Sequence, residues 1–142
     1  HKVVITCGHR CPAHNTYADG STFNLSSKHM IGAEVDFYVE GMESSMQAIV
    51  DLIMQYYKEQ QPYKGQKDYE KFLRLDSQLT NVITQPWYNK EILIKLYQKG
   101  EGRDFDNKHP HPYISLQVRF DRDSSEKVVY SWDKAFKGFL RY

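Results

Sequence analysis

The stretch Ser27-Lys28-His29-Met30-Ile31-Gly32-Ala33-Glu34-Val35-Asp36 decides how this chain is read. Its second half opens the run Ala33–Val39, which reads as a strand closed by Gly41. If His29 stands where a loop enters that strand, one imidazole and the Asp36 carboxylate converge, with Gly32 letting the backbone turn tightly. Zinc accepts both ligand types at about 2.0–2.2 Å, and a catalytic site needs three protein ligands and an open position. The stretch supplies two of the three. As spacing alone, it is also the pattern of an ordinary surface pair.

Upstream, Val3–Thr6 is β-branched and reads as a strand. Gly8–Ser27, rich in Gly, Asn, Asp, Ser and Pro, reads as a long loop, and loops beyond about 12–15 residues are usually functional. The two cysteines, Cys7 and Cys11, do not make a disulfide framework. A zinc knot of both with His9 or His14 is an alternative use for them.

Downstream, Ser44 or Ser45 caps a helix whose apolar face is Met46, Ile49, Val50, Ile53, Met54 and Tyr57. A short helix is expected over Asp68–Leu75. Asn89 is expected to cap another, Lys90–Lys99, carrying Ile92, Leu93, Leu96 and Tyr97 and ended by Gly100. Trp87-Tyr88 before it reads as a hydrophobic anchor or a cleft lining. Tyr113–Asp121 alternates, with Ile114, Leu116, Val118 and Phe120 on one face and Tyr113, Ser115, Gln117 and Arg119 on the other. A turn at Arg122–Glu126 leads into Lys127–Trp132 and completes a hairpin. The fold class is α+β: a small, mainly antiparallel sheet with helices packed on one side, as a single domain over residues 1–142.

The 142 residues carry 19 basic and 18 acidic side chains, a net charge of +1 that gives no reason to expect a nucleic acid. No apolar run approaches the roughly 20 residues of a membrane span. Eleven tyrosines suit contact with a polar polymer or ordinary packing. The chain opens on a strand-like run without a leader, as expected of a processed domain. The loop Glu101–Asn107 lacks the spacing of an EF-hand calcium site.

Two segments in order, Ile5-Thr-Cys-Gly-His-Arg-Cys-Pro-Ala-His-Asn15 and Ser27–Asp36, resemble the zinc D,D-peptidases of peptidoglycan metabolism. That superfamily includes D-alanyl-D-alanine carboxypeptidases and dipeptidases, phage endolysins and the Hedgehog signalling-domain fold. Its members read Ser-Gly-Tyr-Arg-Ser-Pro-x-His-Asn, then Ser-x-His-x-x-Gly-x-Ala-x-Asp. This chain keeps Gly8, Arg10, Pro12, His14 and Asn15 of the first, and Ser27, His29, Gly32 and Asp36 of the second. It departs at His9, where relatives carry an aromatic residue, and at Glu34, where they carry alanine. The resemblance implies that His29 and Asp36 are zinc ligands. It implies that Arg10, with Ser27, contacts substrate, and that the Arg10 guanidinium holds a carboxylate or polarises the scissile carbonyl. His14 and Asn15 are expected to fix the loop by hydrogen bonds.

The resemblance places the third ligand on a late strand, and three alignments stay open. In a His-x-His form, His111 is the ligand and His109 lines the catalytic water. In a Glu-x-x-His form, Asp106 is the general base and His109 the ligand. In the third, Tyr113-Ile-Ser115-Leu-Gln117 occupies the strand where relatives read aromatic-Val-His-Ile-Asp, so that Ser115 replaces the histidine. At about 3.3 Å per residue, His111 would lie roughly 13 Å before Ser115. The implied function is a zinc-dependent peptidase acting on peptidoglycan stems or similar D-amino-acid peptides, in a periplasmic or cell-wall location. The alternative is a binding or structural module that kept the fold and lost hydrolysis.

Overall fold

The computed structural model describes residues 1–19, 27–59, 73–74, 86–101 and 111–139. A six-stranded antiparallel sheet organises them, in the order β1-β2-β6-β5-β4-β3. Its strands are β1 (Val3–Cys7), β2 (Glu34–Val39), β3 (Leu73–Arg74), β4 (Trp87–Tyr88), β5 (Ile92–Tyr97) and β6 (Tyr113–Val118). A separate two-stranded ribbon pairs β7 (Phe120–Asp121) with β8 (Glu126–Lys127). The helices are α1 (Pro12–Asp19), a 3-10 helix (Lys28–Ile31), α2 (Met46–Glu59) and α3 (Trp132–Phe139).

Alternation sorts the sheet into two unlike faces. On one, Phe37, Val39, Ile92, Ile94, Leu96 and Ile114 pack with Met46 and Val50 of α2. Val50, Ile94 and Ile114 are fully buried, each worth about 1.5–3 kcal/mol of transfer free energy. The opposite face presents Glu34 and Asp36 of β2, Ser115 and Gln117 of β6 and Lys95 of β5. The ladder brings them together through the pairs Asp36–Ser115, Glu34–Gln117 and Lys95–Ser115. The expected α+β class with a mainly antiparallel sheet is what forms, and α2 covers its apolar face. The helices α1 and α3 pack on the 3-10 helix.

Four elements differ from the sequence expectation. Lys90–Lys99 is not a helix, because Asn89 builds a turn instead of a cap. Its Oδ1 accepts from the backbone N–H of both Glu91 and Ile92, at 2.9 Å each, an Asx-type arrangement that competes with helix. The chain then runs as β5 between β4 and β6, where alternation of Ile92, Ile94 and Leu96 serves the core better than a helical stripe. Trp87 joins that core, which makes it an anchor. Within Gly8–Ser27, Pro12 starts α1 rather than a turn, in keeping with proline at a first helical position. Trp132 belongs to α3, whose start is capped by the Ser131 hydroxyl accepting from Lys134 N–H at 3.1 Å. The helix expected over Asp68–Leu75 is a strand at Leu73–Arg74, and its other residues lie outside the described set. No helix among the described residues is long and apolar enough to cross a membrane.

Candidate metal centre

The 3-10 helix exists to place His29. Ser27 caps it, its hydroxyl accepting from His29 N–H at 3.3 Å. Gly32 ends it at φ 70°, a left-handed conformation that glycine adopts without strain. Arg10 N–H donates to the His29 carbonyl at 3.1 Å, so the first motif's loop grips the second from below. His29 is 4% exposed and Asp36 6%.

The imidazole has a fixed tautomer. Nδ1 lies 2.9 Å from the Gly8 carbonyl, which can only accept, so Nδ1 carries the hydrogen. Nε2 then faces Asp36 Oδ2 at 3.2 Å. A lone pair pointed at a buried carboxylate requires a proton or a metal cation between them. A backbone carbonyl orienting the far nitrogen is the usual support for a ligating histidine. Asp36 Oδ1 is buried and has no hydrogen-bond partner among the described residues, so one carboxylate oxygen is left over for a ligand.

The third donor is Cys7. Its sulfur lies 3.7 Å from His29 Nδ1, and Arg10 Nε donates to it at 2.8 Å. Among the described residues, Cys7, His29 and Asp36 are the one group of three histidine, cysteine or acidic side chains whose ligand atoms all lie within 4.8 Å of one another. Those three can share a metal ion. Cys7 arrives there because of a register shift in β1. Ile5 pairs with Phe37, yet Cys7 pairs with Asp36, so one extra residue re-aims the strand's last side chain. Both cysteines are free.

A ring of polar groups surrounds the donors. Glu34 Oε1 accepts from the Ser115 hydroxyl at 2.8 Å, from Gln117 Nε2 at 2.8 Å and from Lys95 Nζ at 3.4 Å. Glu34 Oε2 is 3.8 Å from His29 Nε2. Burial opposes the charges here but loses to the partners. It would lower His29, yet the hydrogen bonds to Asp36 and Cys7 and the charges of Asp36 and Glu34 raise it to about 10. It would raise Glu34, yet Lys95, His29 and the two hydrogen bonds hold that carboxyl below its ordinary value. Lys95 is likewise raised against burial, by Tyr97 and Glu34.

The sequence-expected residues divide accordingly. His29 and Asp36 come together, and Arg10 reaches the centre through Cys7. Ser27 acts on the helix that carries His29. His111 is not drawn into the donor group; its ring packs against Tyr38 at 5.3 Å between centroids. Ser115 occupies the ladder position opposite Asp36. Asp106 and His109 lie outside the described residues. His9 Nε2 bonds the Met30 carbonyl at 3.1 Å, and His14 lies edge-on to Tyr17, so neither shares an ion with Cys7. Sequence reasoning missed Cys7 as a partner of His29, and it missed Glu34 and Lys95. Glu34, standing where the motif that the segment resembles has alanine, was the one visible signal.

No family model matches this chain, and no curated protein or solved structure matches it either.

Proposed function

We propose that this chain is a zinc-binding, peptidase-like domain that hydrolyses small peptides of the D-alanyl-D-alanine-ended, peptidoglycan-stem type. The observation that carries the reading is the Asp36 carboxylate 3.2 Å from a His29 nitrogen whose ring partner is already committed to Gly8. Support also comes from the order and spacing of the Arg10 and His29 motifs, which resemble those of the zinc D,D-peptidases and the Hedgehog-like fold. A periplasmic or cell-wall location goes with the same resemblance.

His29, Asp36 and Cys7 would hold the ion. Imidazole, carboxylate and thiolate are all zinc ligands, and a thiolate argues against magnesium or calcium. Zinc bound there would supply a Lewis acid that polarises a carbonyl and makes water acidic near neutral pH. Arg10 holds the Cys7 sulfur, and on the family resemblance its guanidinium would pair with a substrate carboxylate.

The test is metal analysis of protein purified without chelator, with hydrolysis of a pentapeptide ending in D-alanyl-D-alanine. One zinc per chain, lost together with turnover in His29→Ala, is the expected result. A chain without metal, or a His29→Ala variant with unchanged hydrolysis, defeats the proposal. A second reading, a binding module that keeps the metal and lacks turnover, is favoured by Ser115 opposite Asp36, where relatives carry a histidine. Measured turnover excludes it.

A further inference from the structure

The residues that follow His29 form one wall of a cavity of about 660 Å³, which none of Cys7, His29 and Asp36 lines. That volume is in the range of small-molecule sites, roughly 300–1,000 Å³. Three parts of the fold enclose it. Met30 and Ile31 come from the 3-10 helix, Lys127 and Val128 from the end of the β7–β8 ribbon, and Lys134 from α3. Met30 is 1% exposed and makes an apolar floor with Ile31 and Val128. The His9 ring is fixed in the wall, its Nε2 bonded to the Met30 carbonyl at 3.1 Å.

The charges of the cavity are unevenly committed. Lys28, Lys95 and Lys137 bond the Val118 carbonyl, Glu34 and Asp133. Lys127 and Lys134 make no such side-chain pair among the described residues. Two acidic residues share the cavity with them. Asp121 is spent on its own turn: Oδ1 accepts from Asp123 N–H at 2.9 Å and Oδ2 from the Ser124 hydroxyl at 3.0 Å. Glu126 precedes Lys127 in β8, where successive side chains leave by opposite faces, and it pairs with neither lysine. One such lysine is an ordinary solvated side chain. Two from different elements, beside an apolar floor, favour a molecule with a negative end and an apolar body.

We propose that this cavity is a binding site for a small amphiphilic anion. Its carboxylate or phosphate head is held between Lys127 and Lys134, and its apolar body lies on Met30, Ile31 and Val128. Ammonium groups on two separate elements can each donate to one oxygen of the same head, and such charge-assisted bonds are about twice as strong as neutral ones. Removing the apolar body from water adds to them. A cationic amphiphile meets the same two lysines as repulsion, and a bare anion leaves the floor uncovered. The site stands apart from the proposed hydrolysis, so its test needs neither zinc nor turnover.

The experiment titrates the whole chain with octanoate and with octyl phosphate, in chelator so that no metal ion can hold the head group. Binding is read from heats and from the methyl signal of Met30, assigned with Met30→Leu. At least one of the two should bind with a Kd below about 1 mM and shift that signal. The tighter of the two names the head group. Acetate and inorganic phosphate, which lack the tail, and octylammonium, which reverses the charge, should each bind at least roughly 10-fold more weakly. Lys127→Gln and Lys134→Gln should each weaken binding by roughly 10-fold, while Lys134→Arg keeps most of it. Both lysines are exposed, so the fold should stand these changes. Equal affinity for octylammonium would leave an unselective apolar groove, and equal affinity for the tailless anions an ion site without a floor; either overturns the proposal. So do unchanged affinity in the doubly substituted Lys127→Gln/Lys134→Gln chain, a Met30 signal that does not move, and failure of both amphiphiles to bind.

Discussion

Asp36 and Ser115 face one another across the β2–β6 ladder, and the Ser115 hydroxyl turns aside to donate to Glu34. The ladder position opposite Asp36 is therefore spent on a carboxylate. A Ser115→His substitution tests this directly. Ser115 is 1% exposed, so a larger ring overpacks the site and should cost about 1–3 kcal/mol in chelator. Zinc should then raise the thermal midpoint of the variant by more than it raises the parent's. Equal zinc-induced shifts would show that position 115 does not look into the centre.

Cys7 is the donor that its strand register delivers to Asp36. Cys7→Ala should weaken zinc by at least the roughly 10–100-fold that losing even an outer-shell partner costs. It should also abolish the thiolate-to-metal charge-transfer band of the cobalt-substituted protein. An unchanged band would assign the sulfur elsewhere.

Chelated protein should show a pH dependence set by His29 and Glu34. The imidazole is raised from 6.5 to about 10, so its stabilisation is complete below pH 6.5 and is lost as pH climbs through 10. Glu34 is lowered from 4.5, so its contribution is present above that pH and disappears as pH falls through the folded value. Urea midpoints should thus form a plateau between about pH 5 and 6.5 and decline on both sides. With zinc the alkaline decline should vanish, because the metal displaces the Nε2 proton. Parallel alkaline limbs in His29→Gln and the parent would remove His29 as the cause.

Gly32→Ala separates backbone strain from chemistry. A Cβ there meets no atom within 4 Å, yet φ is +70°. The expected cost is about 1–2 kcal/mol from the left-handed conformation alone. Zinc affinity at a temperature well below unfolding should hold within a few-fold, as measured by competition with a colorimetric chelator.

What could be read from the amino acids alone follows from locality. The β-branched run Val3–Thr6, the stripe Met46–Tyr57 and the alternation from Tyr113 each report on one element, and each formed. Ile92-Leu93-Ile94-Lys95-Leu96-Tyr97 satisfies both a helical and an alternating pattern. Only the presence of β4 and β6 on either side, with the turn at Asn89, decides for strand. The helices α1 and α3 were missed because Pro12 fell within a stretch read as loop and Ser131 within Lys127–Trp132, read as the second strand of a hairpin.

The site divides the same way. His29 and Asp36 were legible because they lie on adjoining elements, seven positions apart in the chain. Cys7, Lys95, Ser115 and Gln117 reach the centre by strand pairing across long sequence separations. Register of that kind depends on a bulge and on which strands become neighbours, and no short window of sequence contains either.

The irregularity between Ile5 and Cys7 has a chemical consequence. Were β1 to continue its pairing without a shift, Thr6 and not Cys7 would stand across from Asp36. A hydroxyl would replace a sulfur, and the site would turn from one suited to borderline-soft ions toward one suited to hard ions. One surplus residue in an edge strand would thus decide which class of metal the group suits, adjustable by a single insertion or deletion that leaves every ligand codon intact.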